Sequence, residues 1–212
     1  MAQDHTHPHP HEHPHEHRPD QDGPLTDYQL MEIAVRELLV EKGVVTADEI
    51  RQAIEAMDAR NPATGARVVA RAWTDPAFKA RLLANGTKAC EELGIDMGTV
   101  KLVVVENTPA AHNLVVCTLC SCYPRALLGL PPDWYKSRSY RARAVREPRA
   151  VLREFGTELP DQVALRVHDS TADMRYLVLP MRPVGTEGFS EARLAELVTR
   201  DSMIGVSLPR VA

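Results

Sequence analysis

The chain has few cysteines, few aromatic residues and no long apolar run. Of its 212 residues, four are cysteine and 5% are Phe, Trp or Tyr. No apolar run approaches the roughly 20 residues that a membrane-spanning helix needs, and the N-terminus lacks the apolar segment of a secretory signal. We therefore expect a cytoplasmic protein. Three of the four cysteines fall within six residues, a pattern that indicates metal binding or catalysis rather than a disulfide framework.

An excess of positive charge is also absent. The formal net charge at pH 7 is −4, so no general basic field attracts nucleic acid or an anionic membrane. A basic run between Lys136 and Arg153 has no aromatic residues at stacking spacing, which is typical of a solvated helix face. We predict neither nucleic acid nor a membrane as a partner.

Histidine is concentrated in the first 24 residues. Seven of the nine histidines lie there, at every odd position from His5 to His17, separated mainly by Pro and Glu. Such a segment has too few apolar residues to form a core, so we predict a disordered tail over residues 1–24. Closely spaced imidazoles suit borderline metals such as cobalt or zinc, and a plain solvated tail is the alternative.

The remaining chain predicts an α+β protein in two parts. Residues 25–94 have helical spacing, with a capping box at Thr46–Glu49 and a helix restart at Asp75-Pro76. The apolar stripes of these helices are narrow, so we predict a helical N-terminal arm that packs on a partner. Residues 95–212 predict a layered α/β sandwich-like domain of mixed strands, with helices outside and a metal loop after a strand.

Within the second part the pattern alternates between strands and short helices. β-Branched runs predict strands at 101–106 and 113–116, and the cysteines follow the second of these. Alternation at 163–167 and at 174–178 predicts a hairpin turning near Ser170–Asp173. Further helices are predicted at 138–146, 148–155 and 190–200, and a last strand at 203–208.

The cysteine cluster is Cys117, Cys120 and Cys122 in the sequence CTLCSC. A structural zinc site usually takes four ligands in two separated pairs, and iron–sulfur clusters are usually bound by four cysteines at other spacings. Cys90, His112 or His168 could supply a fourth ligand, but none has the spacing of a known motif. An unliganded group of buried thiols is a further alternative.

The spacing of Cys120 and Cys122 favours a different kind of site. If both thiolates bind one ion, the amide nitrogens of Ser121 and Cys122 come close to it and close five-membered chelate rings. A trivalent, strongly Lewis-acidic ion could displace those amide protons, and Cys117 would add an apical sulfur. Five positions are then filled and the sixth stays open, as in a catalytic metal site.

These residues and their flanks resemble the alpha subunit of nitrile hydratase, a non-corrin cobalt or non-haem iron enzyme that hydrates nitriles to amides. The resemblance runs from about Glu32 to Pro209. It includes VVENTP (104–109), LGLPPDWYKS (128–137), YRARAVREPR (140–149), LREFG (152–156), RYLVLPMRP (175–183) and LVTRDSMIGVSLP (197–209). In this family Thr at the position of Thr118 goes with cobalt, and Ser goes with iron.

The resemblance implies a defined metal centre. It implies one cobalt(III) ion per chain, with iron as the weaker alternative, bound by Cys117, Cys120, Cys122 and the amides of Ser121 and Cys122. It implies oxidation of Cys120 to sulfinate and of Cys122 to sulfenate, and catalytic roles for Cys120, Ser121 and Cys122 on a small nitrile. It also implies a beta subunit in an alpha2beta2 assembly and a cobalt-loading activator protein.

Five further residues are candidates for supporting this centre. Glu106 is expected to hydrogen-bond near the metal ligands, Thr118 belongs to the metal loop, and Arg141 or Arg143 is expected to support that loop or the subunit interface. Arg125 stands where many nitrile hydratases have a Trp that lines an apolar pocket. A guanidinium there favours an anionic substrate. In this respect the chain resembles the gamma subunit of thiocyanate hydrolase, which also has Arg at this position.

We therefore predict a cobalt-type nitrile hydratase alpha subunit that hydrates nitriles, and two alternatives stay open. One is hydrolysis of thiocyanate by a gamma-type subunit. The other is metal storage or delivery, since a histidine-rich tail and a cysteine cluster also suit a carrier. A carrier should release its metal to a strong chelator, whereas a trivalent ion held by amide nitrogens should not.

Overall fold

The computed structural model describes residues 24–211. The predicted histidine-rich tail lies outside these residues except for its last position. The chain divides into two compact units, one ending at Ala59 and the other beginning at Arg60. Among residues 24–211 no helix is both long and apolar enough to cross a membrane.

The first unit consists of helices α1 (Asp27–Glu41) and α2 (Ala47–Asp58). Both start with capping boxes, in which Thr26 and Thr46 accept from a backbone N–H three residues on and receive a side chain in return. Neither helix contains a buried residue. Several large apolar side chains are instead exposed, with Tyr28 at 84%.

The second unit begins with three helices, α3 (Pro62–Thr74), α4 (Pro76–Ala84) and α5 (Gly86–Glu92). Asp75 caps α4 and Pro76 occupies its first turn, so the predicted restart is confirmed. The division at Arg60 differs from the predicted boundary at residue 94. The reason is burial, because Val68, Phe78 and Leu82 on α3 and α4 belong to the apolar core of the second unit.

Four strands form two separate parallel pairs. β1 (Lys101–Glu106) pairs with β4 (Met174–Leu179), and β2 (Ala111–Val116) pairs with β3 (Ala164–Asp169). The predicted hairpin between the two later strands is therefore wrong. Each of those strands instead pairs with one of the earlier strands, and such parallel partners need a long crossover between them.

The crossover from β2 to β3 carries the short helices α6 (Arg125–Leu128), α7 (Asp133–Lys136), α8 (Arg138–Arg146) and α9 (Pro148–Glu154). The chain ends with α10 (Glu191–Glu196) and α11 (Arg200–Ile204). The strand predicted at 203–208 is wrong, because Thr199 caps α11 and Gly205 ends it in the left-handed conformation with φ 93°. The helices and short parallel strands confirm the predicted α+β class.

A buried polar network fixes the position of β2. The His112 Nε2–H donates to the Gly205 carbonyl at 2.7 Å, so His112 Nδ1 accepts from the Asn107 amide at 3.1 Å. The Asn107 side-chain oxygen accepts from the backbone N–H of Asn113 at 2.8 Å. Burial lowers the pKa of His112, which favours the neutral ring that this arrangement requires. β2 is thereby tied to α11, and the cysteines follow directly from its last residue.

Candidate metal centre

The cysteine loop begins where two paired strands end together. Val116, the last residue of β2, is in register with Asp169, the last residue of β3. The Asp169 carboxylate accepts from the Thr118 backbone N–H at 2.9 Å and from the Thr118 hydroxyl at 2.5 Å. Because hydrogen bonds to a charged acceptor are among the stronger ones, Asp169 fixes the direction in which the chain leaves β2.

The two hydrogen bonds from Thr118 to Asp169, called the Thr118–Asp169 clamp below, predict a graded effect on the retention of bound metal. Replacing Asp169 with Ala should speed metal loss to a chelator by about 10- to 100-fold, the usual cost of losing a residue that orients a ligand. Thr118→Val should have a smaller effect, because only the hydroxyl contact is lost, and Thr118→Ser should have none. Metal content after timed incubation with a chelator measures all three. Equal release from the three variants would show that the clamp does not hold the loop.

The three cysteine sulfurs converge on one point. The Sγ atoms of Cys117, Cys120 and Cys122 lie within 4.8 Å of one another. The distance from Cys120 Sγ is 3.4 Å to Cys117 Sγ and 3.1 Å to Cys122 Sγ. Sulfurs bound at right angles to one metal ion at roughly 2.3 Å would be about 3.3 Å apart, so the spacing fits three ligands on one ion.

Backbone amides face the same sulfurs. The Cys120 N–H donates to Cys117 Sγ at 3.3 Å, and the backbone amides of Ser121 and Cys122 lie close enough to the Cys120 thiol to lower its pKa. The Cys122 and Cys117 thiols together with these amides lower the pKa of Cys120 to about 7, whereas burial is the main cause that raises the pKa of Cys122 to about 12. A donor set of sulfurs and nearby amide nitrogens is therefore already assembled.

Two side chains hold the carbonyl groups of the loop. The Tyr135 hydroxyl donates to the Cys122 carbonyl at 2.9 Å, and the Arg141 guanidinium donates to the Cys120 carbonyl at 3.2 Å. Tyr135 is completely buried and makes an edge contact with Tyr123. The Cys120 carbonyl shares its peptide plane with the Ser121 amide, so that amide is restrained as well, and the fixed Cys122 carbonyl restrains the end of the loop.

Two of the expected supporting residues are engaged by other groups. The Glu106 carboxylate forms an ion pair with Lys79. The Arg143 guanidinium pairs with Glu147 and Glu154, and these hydrogen bonds raise its pKa. The structure thus brings Thr118 and Arg141 to the cysteine loop, but it gives Glu106 and Arg143 partners elsewhere in the second unit.

A cavity of about 450 Å³ opens beside the cysteines. Cys120, Ser121 and Cys122 form one side of it, and Arg125 lines it as expected for a residue near the substrate. Arg60 and Arg175 line it as well. Cys117 is buried, Cys122 is half-buried and Cys120 is exposed. Cys120 and Cys122 line the cavity, whereas Cys117 is not among its lining residues.

Comparison with known proteins identifies the family. A family model described as nitrile hydratase, alpha chain, matches residues 26–207. The chain belongs to the nitrile hydratase alpha-chain family. The low-molecular-weight cobalt-containing nitrile hydratase subunit alpha of Rhodococcus rhodochrous is 54% identical over 178 residues, which cover 83% of this chain and 86% of the relative. The resemblance stated from the sequence motifs is therefore confirmed.

Two further members of the comparison bear on metal and substrate. The thiocyanate hydrolase subunit gamma of Thiobacillus thioparus is 43% identical over 198 residues, covering 88% of this chain and 82% of that subunit. The solved structure of a double mutant of the Fe-type nitrile hydratase from Comamonas testosteroni Ni1 is 49% identical, with a TM-score of 0.77 and coverage of 87% and 92%. Cobalt, iron and thiocyanate enzymes thus share this alpha-chain fold.

Four residues at this nitrile hydratase-like site escaped the sequence reasoning. Asp169 holds Thr118, Tyr135 holds the Cys122 carbonyl, and Arg60 and Arg175 line the cavity. Asp169 could have been found by pairing 111–116 with 164–169 in parallel, because the carboxyl ends of parallel strands meet at one edge. No sequence spacing points to Arg60, which lies 57 residues before Cys117.

Proposed function

We propose that this chain is the metal-bearing subunit of a nitrile hydratase, which adds water across the C≡N bond to give an amide. The observation that carries the proposal is the convergence of three cysteine sulfurs and two backbone amides beside an open cavity. Membership of the alpha-chain family supports the same reaction. A storage or delivery protein would have no need for a substrate-sized cavity at its metal site.

The proposed metal is cobalt(III), held by the thiolates of Cys117, Cys120 and Cys122 and by the amide nitrogens of Ser121 and Cys122. Thr118 and the cobalt-containing relative at 54% identity support cobalt, and iron is the weaker alternative. Oxidation of Cys120 to sulfinate and of Cys122 to sulfenate belongs to the proposal, as does a cobalt-loading activator protein. The exposure of Cys120 suits such an oxidation, because oxidants reach accessible thiolates most readily.

The ion supplies Lewis acidity, which polarises a nitrile or a water molecule. The rest of the chemistry depends on residues of this chain. Asp169, Tyr135 and Arg141 keep the loop rigid, so the sulfur spacing does not relax during turnover. The cavity holds the substrate beside Cys120 and Cys122 and reduces its freedom, which lowers the entropic barrier to addition of water.

A beta subunit is the proposed partner, in an alpha2beta2 assembly. Two groups of exposed apolar side chains support a partner. Leu119, inside the cysteine loop, is 86% exposed. In the first unit a groove between α1 and α2 is lined by apolar residues including Met31, Val35 and Leu39. Large exposed apolar patches usually mark interaction surfaces, and the relatives are named as subunits of larger enzymes.

A second candidate function is hydrolysis of thiocyanate, as in the gamma subunit that is 43% identical. Arg125 favours it. It lines the cavity, where a guanidinium stabilises an anion more than a neutral nitrile. The gamma subunit is also similar over 88% of this chain, so the fold does not separate the two functions.

The two functions are separated by assaying the enzyme assembled with its partner subunit. We expect amide formation from propionitrile, measured by chromatography, and no release of ammonia from thiocyanate. Ammonia from thiocyanate without amide from propionitrile would contradict the proposal and support the second candidate. A chelator incubation completes the test, because quantitative loss of metal would instead indicate storage or delivery. The matched control is Cys122→Ala, which should abolish either activity.

A further inference from the structure

Three arginines line the cavity beside the cysteines. They are Arg60, Arg125 and Arg175, and Asp96 is the only acidic residue among the lining residues in the described part of the chain. The lining residues outside the cysteine loop therefore include more basic than acidic side chains.

Among residues 24–211 the three arginines have no ion-pair partner. Arg175 Nη1 donates to the carbonyl oxygens of Thr171 and Ala172, which leaves its charge unchanged. Guanidinium groups free of acidic partners are suited to bind a carboxylate through two parallel hydrogen bonds.

The position of Arg60 is built into the fold. A Cβ on Gly129 would lie 2.5 Å from the Arg60 carbonyl oxygen and 3.3 Å from Asn61 Cα. Gly129 also has φ +70°, a conformation that glycine adopts without strain. It directly follows α6, which starts at Arg125. The close approach at Gly129 therefore keeps the backbone of Arg60 beside the helix that carries Arg125.

The cavity has room for a substrate larger than a triatomic anion. At roughly 30 Å³ for each small polar unit in a liquid, three heavy atoms need about 90 Å³ and seven need about 200 Å³. The cavity volume of about 450 Å³ leaves most of the space empty around a triatomic anion. A molecule with separate nitrile and carboxylate ends would use both the cysteine side and the arginine side.

We propose that the preferred substrate is a small nitrile that carries a carboxylate, and that Arg60 together with Arg125 binds this carboxylate while the nitrile faces Cys120 and Cys122. The inference rests on the proposed nitrile hydration and deepens it by naming the substrate class. Arg60 is then a residue that determines specificity. Arg175, which acts electrostatically on Cys122, adds to the positive field at the cysteine side.

The test compares two nitriles of the same shape with the assembled, metal-loaded enzyme. 3-Cyanopropanoate carries a carboxylate where 4-methylpentanenitrile has an isopropyl group. We expect kcat/KM to be at least roughly tenfold higher for the carboxylate, and Arg60→Gln to remove most of this preference through KM, as expected for one charged hydrogen bond. Salt at about 0.5 M should weaken the preference by screening.

Arg67→Gln is the matched control, since Arg67 is an exposed arginine on α3 that does not line the cavity. It should leave the preference unchanged. Binding of succinate, an unreactive dicarboxylate, is measured by calorimetry as a readout independent of turnover. We expect Arg60→Gln to weaken it roughly tenfold. Equal turnover of the two nitriles, or equal succinate binding in the Arg60 and Arg67 variants, would overturn the inference. Turnover of neither nitrile would contradict nitrile hydration itself, while succinate binding still decides the role of Arg60.

Discussion

Replacing Cys117 with Ala in the enzyme assembled with its partner subunit is expected to leave less than about one-tenth of a metal ion per chain. Cys117 is buried, with 1% of its surface exposed, and its sulfur lies 3.4 Å from Cys120 Sγ. Loss of a residue that merely orients a ligand costs about 10- to 100-fold in metal affinity or activity, and loss of a ligand should cost more. Nitrile hydration should fall at least about a hundredfold.

Cys90→Ala is the control for this experiment. Cys90 is buried in the core of the second unit, burial raises its pKa to about 12, and its sulfur is not part of the three-sulfur group. Metal content is measured by atomic emission and activity by amide formation. Full metal loading in Cys117→Ala, or equal metal loss in the two variants, would show that the sulfurs do not act together as ligands.

The local features of the fold were predictable because each depends on residues close in sequence. β-Branched residues in KLVVVE predict β1. The side chains of Thr46 and Glu49 form the predicted capping box, and Asp75-Pro76 separates α3 from α4. In each case a short segment carries the complete set of groups that stabilises the element, so no distant residue has to be known.

Strand pairing was not predictable in the same way. The residues Ser170–Asp173 between β3 and β4 contain turn formers, and the strands on either side alternate as hairpin strands do. The two strands nevertheless lie in different sheets, because β2 is buried along its whole length and takes β3 as its parallel partner. Burial on both faces is a tertiary property, and alternation alone does not report it.

In the candidate site, too, some features depend on residues close in sequence and others depend on tertiary packing. The ligand positions follow from the spacing of Cys117, Cys120 and Cys122, because three cysteines within six residues can bring their sulfurs to one metal ion within a single loop. Their supports come from positions far away in sequence. Asp169 reaches Thr118 only because β2 and β3 are in parallel register. Glu106 was expected to support the ligands, yet it faces Lys79 on α4, a contact that depends on how α4 packs on β1.

Gly205 links the fold to the site most directly, and Gly205→Ala is expected to destabilise the second unit by roughly 2–5 kcal/mol. A Cβ at this position would lie 2.0 Å from the Asn113 carbonyl oxygen and 3.0 Å from its carbonyl carbon. Both atoms belong to the backbone of β2, so no side chain can move aside. Left-handed φ costs a residue with a Cβ about 1–2 kcal/mol, and overpacking typically adds about 1–3 kcal/mol.

The clash also disturbs the polar network, because the Gly205 carbonyl accepts from His112 at 2.7 Å. A displaced β2 would carry Cys117 with it, so bound metal should fall together with the denaturation midpoint. Gly188→Ala is the control, since Gly188 has no neighbour within 4 Å of a built Cβ, and it should change stability by less than about 0.5 kcal/mol. Chemical denaturation followed by circular dichroism, with metal analysis of the same samples, measures both effects. Equal midpoints for the two glycine variants would mean that α11 does not hold β2 in place, and that the cysteine loop is positioned from the β3 side alone.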